Sequence, residues 1–412
     1  MKGIYLVQYY PPENASGLSL VKDLLEGFTT RAGWRIDLFC PTPTRGVDDD
    51  TRKVYCGEKK IEIKCNGKLH INRMALLREK KGFIPRTIRY IIFSFECLMK
   101  SMTVPADFIF TGSGPPTQGL VAGFAGKMTN KKVIYNLQDI FPDSLITSGI
   151  CSEHSILYKI GKKIEINTYK NADLIITISD DMKKNLLGKG VSPSKIVMIP
   201  NWIDVHSIEH VSDEKNTLFH ELHLDPNKFY ITYAGNIGYV QAIDEIIDAT
   251  ELLGEHSEIQ FVIFGEGSEK EKIEEKIKHK KIDNVSLFPL QPLDRISEVY
   301  SLGQASIVSC KKGTSGSGLP SKTWSIMGAS CAVLGYFDIP SEFSNIVTAN
   351  ECGVCVQSGD TKKLAEKIIE LSENRELCSF YGTNGRKYVE NYASKESAVK
   401  KYIDCIQKIV GE

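Results

Sequence analysis

Short apolar runs of strand length alternate with helix-length segments along almost the whole chain, and they do so in two successive series. The first series places strands at Gly3–Tyr9, Arg35–Cys40, Asp107–Thr111, Lys132–Leu137, Leu174–Ile178 and Ile196–Ile199. Within it, Asn66-Gly67 turns an alternating run from Ile61 to Cys65 back into Leu69 and Ile71, a hairpin signal. The second series runs through Phe229–Ala234, Gln260–Phe264, Val285–Phe288, Ala305–Ser309, Ala332–Tyr336 and Val354–Val356. Strands that alternate with helices in this way form parallel sheets covered on both faces. A chain of 412 residues also exceeds what one hydrophobic core encloses. The expectation is an α/β protein of two doubly wound domains, residues 1–200 and 201–392, with a central cleft. Residues 393–412 are expected to form a terminal helix that crosses back to the first domain. A helix from Gly17 to about Ala32, stopped by Gly33, is expected after the first strand.

Lys+Arg and Asp+Glu both number 51, so the formal net charge is zero and no nucleic-acid partner is expected. The 11 cysteines follow no disulfide framework, and the one CxxC, Cys352-Gly353-Val354-Cys355, lacks the second pair a zinc site needs. It reads as a short buried strand. Those thiols, without a signal peptide, suit a reducing cytosol. No apolar run is long enough to span a bilayer.

In open parallel sheets, ligands bind beyond the carboxyl ends of the strands. Five loops there stand out. Tyr9–Gly17 leads into a helix whose free N–H groups at Gly17 favour a phosphate, although a helix entry needs no ligand. Gly235-Asn236-Ile237-Gly238, with Gln241 a turn later, lets backbone approach a ligand closely. Phe264-Gly265-Glu266-Gly267 is either a ligand loop or strand-to-helix punctuation. Cys310–Lys322 carries Lys311, Lys312 and a glycine–serine run before Leu319-Pro320-Ser321-Lys322. A lysine at a helix N-terminus opposes the dipole, which makes sense if an anion sits there. Asn136–Asp143 places Asp139 toward the expected cleft, where it is a catalytic candidate or a plain N-cap. The eight histidines avoid all five loops, which removes the basis for a histidine triad or metal cluster.

Residues 80–102 form one more candidate surface. Lys80-Lys81-Gly82-Phe83-Ile84-Pro85-Arg86 leads into a helix with Ile88, Ile91, Ile92, Phe95, Met99 and Met102 on one face. The simpler expectation is that this stripe packs on the first sheet. Its basic lead-in and aromatic residues also suit a helix lying on anionic lipid.

Taken in order, these segments resemble family-4 retaining glycosyltransferases of the GT-B fold, two Rossmann-like domains around a cleft. The resemblance is nearest to bacterial polysaccharide enzymes of the colanic-acid and fucosamine type. It runs through Tyr9-Tyr10-Pro11-Pro12-Glu13, Gln138-Asp139, Ala172–Ser179, Ile199-Pro200-Asn201-Trp202-Ile203-Asp204, Gly235–Gly238, Phe264–Gly267, Leu319–Lys322 and Cys352-Gly353-Val354. It implies a nucleotide-diphosphate sugar as donor, UDP-linked by expectation, held mainly by the second domain. It implies a glycan acceptor on a polyprenyl-diphosphate lipid, met by the first domain at the cytoplasmic side of a membrane. It implies retention without a cofactor or required metal. Carried to this sequence, Asp139 and Lys322 become the catalytic candidates. Gly17, Asn236, Gly238, Gln241, Gly265, Glu266, Lys311, Pro320, Ser321 and Lys322 become the donor-binding set.

This chain departs from many relatives in two places. Asn236 and Gln241 stand where an arginine and a lysine are common, and Ser317 and Ser325 where two glutamates are common. Lys322, with Lys311, is the expected replacement for the missing cations. The departures keep a non-catalytic partner subunit open as a reading. A nucleotide-sugar epimerase on the same fold is a second alternative, which the lipid-friendly first domain and the Pro320-Ser321-Lys322 segment disfavour.

Overall fold

A computed structural model of the chain describes residues 1–13, 15, 17–78, 82–147, 151–254, 256–315 and 319–411. The chain divides into two units, Met1–Pro200 with Ala398–Glu412, and Asn201–Ser397.

The first unit is built on an eight-stranded sheet of order β3-β4-β2-β1-β5-β6-β7-β8. Its strands are β1 (Lys2–Leu6), β2 (Arg35–Pro41), β3 (Ile61–Lys64), β4 (Leu69–Met74), β5 (Phe108–Gly112), β6 (Lys132–Leu137), β7 (Leu174–Thr177) and β8 (Ile196–Met198). Among the described residues only the β3–β4 hairpin is antiparallel. Period-2 alternation sends Ile4, Leu6, Ile109 and Val133 to one face, where they pack with Phe93 and Cys97 of α3 (Phe83–Thr103) and Ala122 and Ala125 of α4 (Gln118–Thr129). The other face is aromatic: Tyr5 meets Phe110 edge-on at 4.6 Å, Phe28 stacks on Trp34 at 5.2 Å, and Tyr402 of α16 (Lys395–Gly411) lies 6.2 Å from Phe110. The helix after Gly17 is shorter than expected. α1 (Leu18–Glu26) gives way to a π-helical turn at Gly27–Arg31. Within that stretch the Thr29 hydroxyl donates to Leu25 O at 2.7 Å, and Gly27 packs against the Val399 side chain of α16.

The second unit holds six parallel strands of order β11-β10-β9-β12-β13-β14. They are β9 (Phe229–Asn236), β10 (Ile259–Glu266), β11 (Val285–Phe288), β12 (Ala305–Ser309), β13 (Ala332–Phe337) and β14 (Gly353–Gln357). In each sheet the strand order reverses once, between β1 and β5 and between β9 and β12, which creates a crevice at the strand ends. The passage back to the first unit falls at Ala398, not at residue 393. Ala393 O accepts from Ile203 N at 3.1 Å and Ile203 O from Lys395 N at 2.9 Å, so residues 393–395 stay paired with the start of the second unit.

The stripe on α3 corrects a sequence expectation. Ile88, Ile91, Phe95 and Met99 do not pack on the sheet; they are exposed, Ile91 by 64% and Phe95 by 60%. The sheet is covered instead by Arg89, Phe93, Cys97 and Ser101, a row of i, i+4 neighbours on the opposite side of the helix. Residues 80 and 81 of the basic lead-in lie outside the described residues, as do the side chains of Phe83, Ile84 and Arg86. Among the described residues no helix is long and apolar enough to cross a membrane.

Because a methyl group on residue 27 would overlap Val399, Gly27→Ala should destabilise the first unit by about 1–3 kcal/mol, the usual cost of overpacking. Urea denaturation checks this; an unchanged midpoint contradicts the tight seat of α16 on the π-turn.

Candidate active site

The crevice of the second sheet contains a cavity of about 270 Å³. It is lined by Asn236, Val240 and Gln241 at and beyond the end of β9, by Ser309, Cys310, Thr314 and Ser315 at and beyond the end of β12, and by Leu319, Pro320, Lys322 and Phe337. Of the donor-binding candidates, Asn236, Gln241, Pro320 and Lys322 therefore meet at one place. Gly238, Gly265, Glu266, Lys311 and Ser321 are absent from its lining.

The loops are held by short-range chemistry. Tyr233 on β9 donates its hydroxyl to Asn236 O at 2.6 Å. Ser309 Oγ donates to Gln241 O at 2.6 Å, which ties the end of β12 to the turn after β9. Asn236 Nδ2 donates to Gln241 Oε1 at 3.0 Å, and Gly238 is confined between those two side chains. Gly265 and Gly267 have a packing reason to be glycine: a Cβ on residue 265 would lie 2.5 Å from Ile237 Cγ1, and one on residue 267 would overlap the Ile237 backbone. Ile237 N in turn donates to Glu266 O at 2.8 Å, and the Glu266 carboxylate pairs with Lys270 at 2.7 Å.

Lys322 is the first residue of α12 (Lys322–Gly328). Its ammonium lies 3.8 Å from the centre of the Tyr233 ring, a cation–π contact. It passes so near β9 that a Cβ at residue 235 would lie 2.9 Å from Nζ, and Gly235 has φ +146°. Among the described residues no carboxylate reaches Nζ within ion-pair distance. The residue is half-buried, and desolvation of the ammonium pushes its pKa down to about 7. Lys311 differs: its ammonium sits 3.9 Å over Tyr239 and 3.8 Å from Asp244 Oδ2, so its charge already has a partner.

Asp338, just after β13, is a residue that sequence reasoning passed over. Both its oxygens accept from Gly313 N at 2.9 Å, and Oδ2 also accepts from Ser315 N at 3.2 Å. Burial opposes its charge, but those amide donors outweigh it and hold the carboxyl below the usual range. Asp338 thus pins the loop that lines the cavity. Residues 316–318, which include Ser317, lie outside the described residues; Ser325 is half-buried on α12.

On the first unit, Gly17 is exposed at the N-cap of α1 with φ +77°. Asp139 is exposed just beyond β6. Crowding of its carboxyl by protein raises its pKa, partly offset by a hydrogen bond with Ser144. The reversal point between β1 and β5 gathers a polar group that joins the Tyr9 and Asn136 loops to residues outside them. Gln8 Nε2 donates to Tyr9 at 3.0 Å and to Tyr90 at 3.2 Å. Asn136 Oδ1 accepts from Gln138 Nε2 and Tyr402 Oη, both at 3.0 Å. Beside it, the buried Glu13 carboxylate accepts from Thr44 N at 2.8 Å and Arg45 N at 3.1 Å, which fixes the Tyr9–Glu13 loop. All 11 cysteines are free, and among the described residues no cluster of His, Cys, Asp or Glu is arranged to hold a metal.

The chain is a glycosyltransferase of the GT-B fold, with two doubly wound units, one of which carries a cation-bearing crevice at its strand reversal. The family described as Glycosyltransferase Family 4 matches residues 19–207, and that described as Glycosyl transferases group 1 matches residues 214–388. The chain belongs to this glycosyltransferase family. It is 26% identical over 285 residues to the putative colanic acid biosynthesis glycosyl transferase WcaI of Escherichia coli, covering 68% of this chain and 69% of that one. It is 23% identical over 320 residues to the probable glycosyltransferase WbjE of Pseudomonas aeruginosa, covering 78% and 79%. Its structure resembles that of HepE from Anabaena, solved with UDP, with a TM-score of 0.73, 13% identity and coverage of 99% and 100%.

Lys322 binds a proton less readily folded than unfolded, where an ordinary lysine has a pKa near ~10.4. Between pH about 7 and that value the unfolded state holds the extra proton, so stability rises with pH across this window. Lys322→Met should therefore melt several degrees above the parent at pH 6, and the gap should close toward pH 10. A gap that stays constant with pH contradicts the buried, unpaired ammonium.

Proposed function

We propose that the chain transfers a sugar, with retention at its anomeric carbon, from a nucleoside diphosphate to a glycan carried on a polyprenyl diphosphate. UDP is the first nucleotide to test, and the setting is synthesis of a bacterial surface polysaccharide. The observation that carries the donor half is the Lys322 ammonium, enclosed in the strand-reversal cavity without a carboxylate. An unpaired cation in a partly desolvated pocket is costly on its own and favourable beside a diphosphate. The UDP complex of HepE, and relatives named for colanic acid and capsular polysaccharide, support the choice of donor and pathway class.

In this reading the departing diphosphate is stabilised as it leaves. Lys322 gives it charge and Ser315 lines the same space, while the hydroxyls of Ser309 and Thr314 already donate to Gln241 O and Lys311 O and hold the surrounding loops. Asn236 and Gln241, bonded to each other, offer neutral groups where a second cation would otherwise stand. Among the described residues no histidine lines the cavity, and we assign removal of the acceptor proton to the donor's own phosphate oxygen. No metal ion or other cofactor has a part in these steps. The first unit takes the acceptor, with Gly17 under phosphate and Asp139 orienting a hydroxyl. The outward apolar row of α3 meets the membrane that carries the lipid.

UDP or a UDP-sugar should raise the melting temperature, since a ligand at a hundredfold excess over Kd adds about 2.7 kcal/mol. No shift with any nucleoside diphosphate contradicts the donor site. Lys322→Ala should lower kcat by roughly 10²–10³, the usual cost of one donor to a developing anion. Transfer to a lipid-diphosphate glycan, followed by release of UDP, measures it. In the parent, kcat/KM should fall above pH about 7 as Lys322 loses its proton. Lys322→Arg keeps its charge and should lose that alkaline limb; an unchanged limb contradicts the assignment.

A further inference from the structure

α6 (Ile156–Asn171) lies beside α4 in the helix layer that includes α3. Its inner side is buried through Gly161, Glu165, Thr168 and Tyr169. Its outer arc is Ile156, Lys159, Ile160, Lys163, Ile166, Asn167 and Lys170, every one exposed, Ile156 by 77% and Ile166 by 59%. Three isoleucines and three lysines share this arc with no carboxylate. A helix that only met water would have little reason to expose the isoleucines, and one that packed on protein would have its lysines paired.

Beside this arc is a cavity of about 530 Å³ lined by Lys162, Lys170, Lys189, Lys195, Ser192 and Ile166, among others. Two of its ammonium groups are balanced: Lys162 meets Glu165 at 2.7 Å, and Lys189 meets Asp143 at 2.6 Å and Glu165 at 2.5 Å. The other two are not. Lys195 donates to the carbonyls of Lys170 at 3.1 Å and Ala172 at 2.7 Å, and among the described residues neither Lys170 nor Lys195 reaches a carboxylate. Two lining cations therefore remain in excess, at the edge of an apolar row that includes Ile166. Positive charge set into exposed hydrocarbon is complementary to one surface chemistry, an anionic headgroup at the rim of a bilayer.

We propose that the outer arc of α6 and its lysine-lined cavity form an anionic-phospholipid site, with the headgroup phosphate at Lys170 and Lys195 and the isoleucines among the acyl chains. This deepens the membrane contact proposed for α3 and rests on that reading for its setting. It adds a second helix and a chemical preference. Uncharged lipid alone does not satisfy the site.

Flotation with vesicles tests it, using the full chain and two compositions, phosphatidylcholine alone and phosphatidylcholine with phosphatidylglycerol. The parent should float with the anionic vesicles and remain behind with phosphatidylcholine. Lys163→Glu/Lys170→Glu, both on the exposed arc, should bind the anionic vesicles at least tenfold more weakly. The same double variant should keep the UDP thermal shift, which shows that it is folded and that its donor site is intact. Ile160→Asn should weaken binding as well, while soluble glycerol phosphate should not displace the protein from vesicles. Anionic flotation of the double variant equal to that of the parent overturns the α6 site and leaves the α3 contact standing. Equal flotation of the parent with both vesicle types overturns the headgroup preference. Full displacement by glycerol phosphate makes the cavity a soluble-phosphate site and overturns the lipid assignment. A parent that floats with neither vesicle removes the α3 contact together with this site, and glycosyl transfer is then judged by the UDP shift alone.

Discussion

The ammonium of Lys322 is the constraint around which the crevice of the second unit is packed. Tyr233 supplies a ring face at 3.8 Å and, through its hydroxyl, fixes the backbone of Asn236. Gly235 has no side chain because the lysine occupies that space. Ser309 joins the two loops on either side, and Asp338 draws the 311–315 loop over the same cavity. A charge kept from water with only a π-face beside it is poorly compensated. In the function proposed above, an incoming diphosphate relieves that deficit, and this links the packing of β9 and α12 to the proposed chemistry.

The two glycines after β10 show how the fold and the site divide the work. Gly265 and Gly267 look in sequence like a ligand loop. In the structure they let Ile237 cross the end of β10, with backbone bonds from Ile237 N to Glu266 O and from Glu269 N to Ile237 O. They set the path of the loop that carries Asn236 and Gln241 and do not line the cavity. Lys311, grouped with Lys322 by sequence, is likewise taken up by Asp244 and Tyr239. Of these two lysines, Lys322 alone has no carboxylate within ion-pair distance among the described residues.

The strand series was the most legible part of the sequence, because apolar runs bounded by turn residues have few other uses. The two loops that line the cavity of the second unit were also legible, since each follows a strand at its carboxyl end. What the sequence withheld depends on long-range contacts. The periodicity of α3 tells which residues share a face and not which neighbour covers it, so Ile88, Ile91, Phe95 and Met99 were placed inward when Phe93 and Cys97 take that place. The close seat of Gly27 against Val399 joins opposite ends of the chain. Tyr233 and Asp338 act through backbone groups of distant segments, and no local pattern marks them.

The most direct test of the central claim is calorimetry of UDP binding at pH 8 in buffers of different ionisation enthalpy. If Lys322 is largely neutral in the free protein and charged beneath a diphosphate, the parent takes up about one proton per UDP bound. Lys322→Met, given enough UDP to saturate it, takes up almost none. Binding by the parent with no proton uptake would contradict the account.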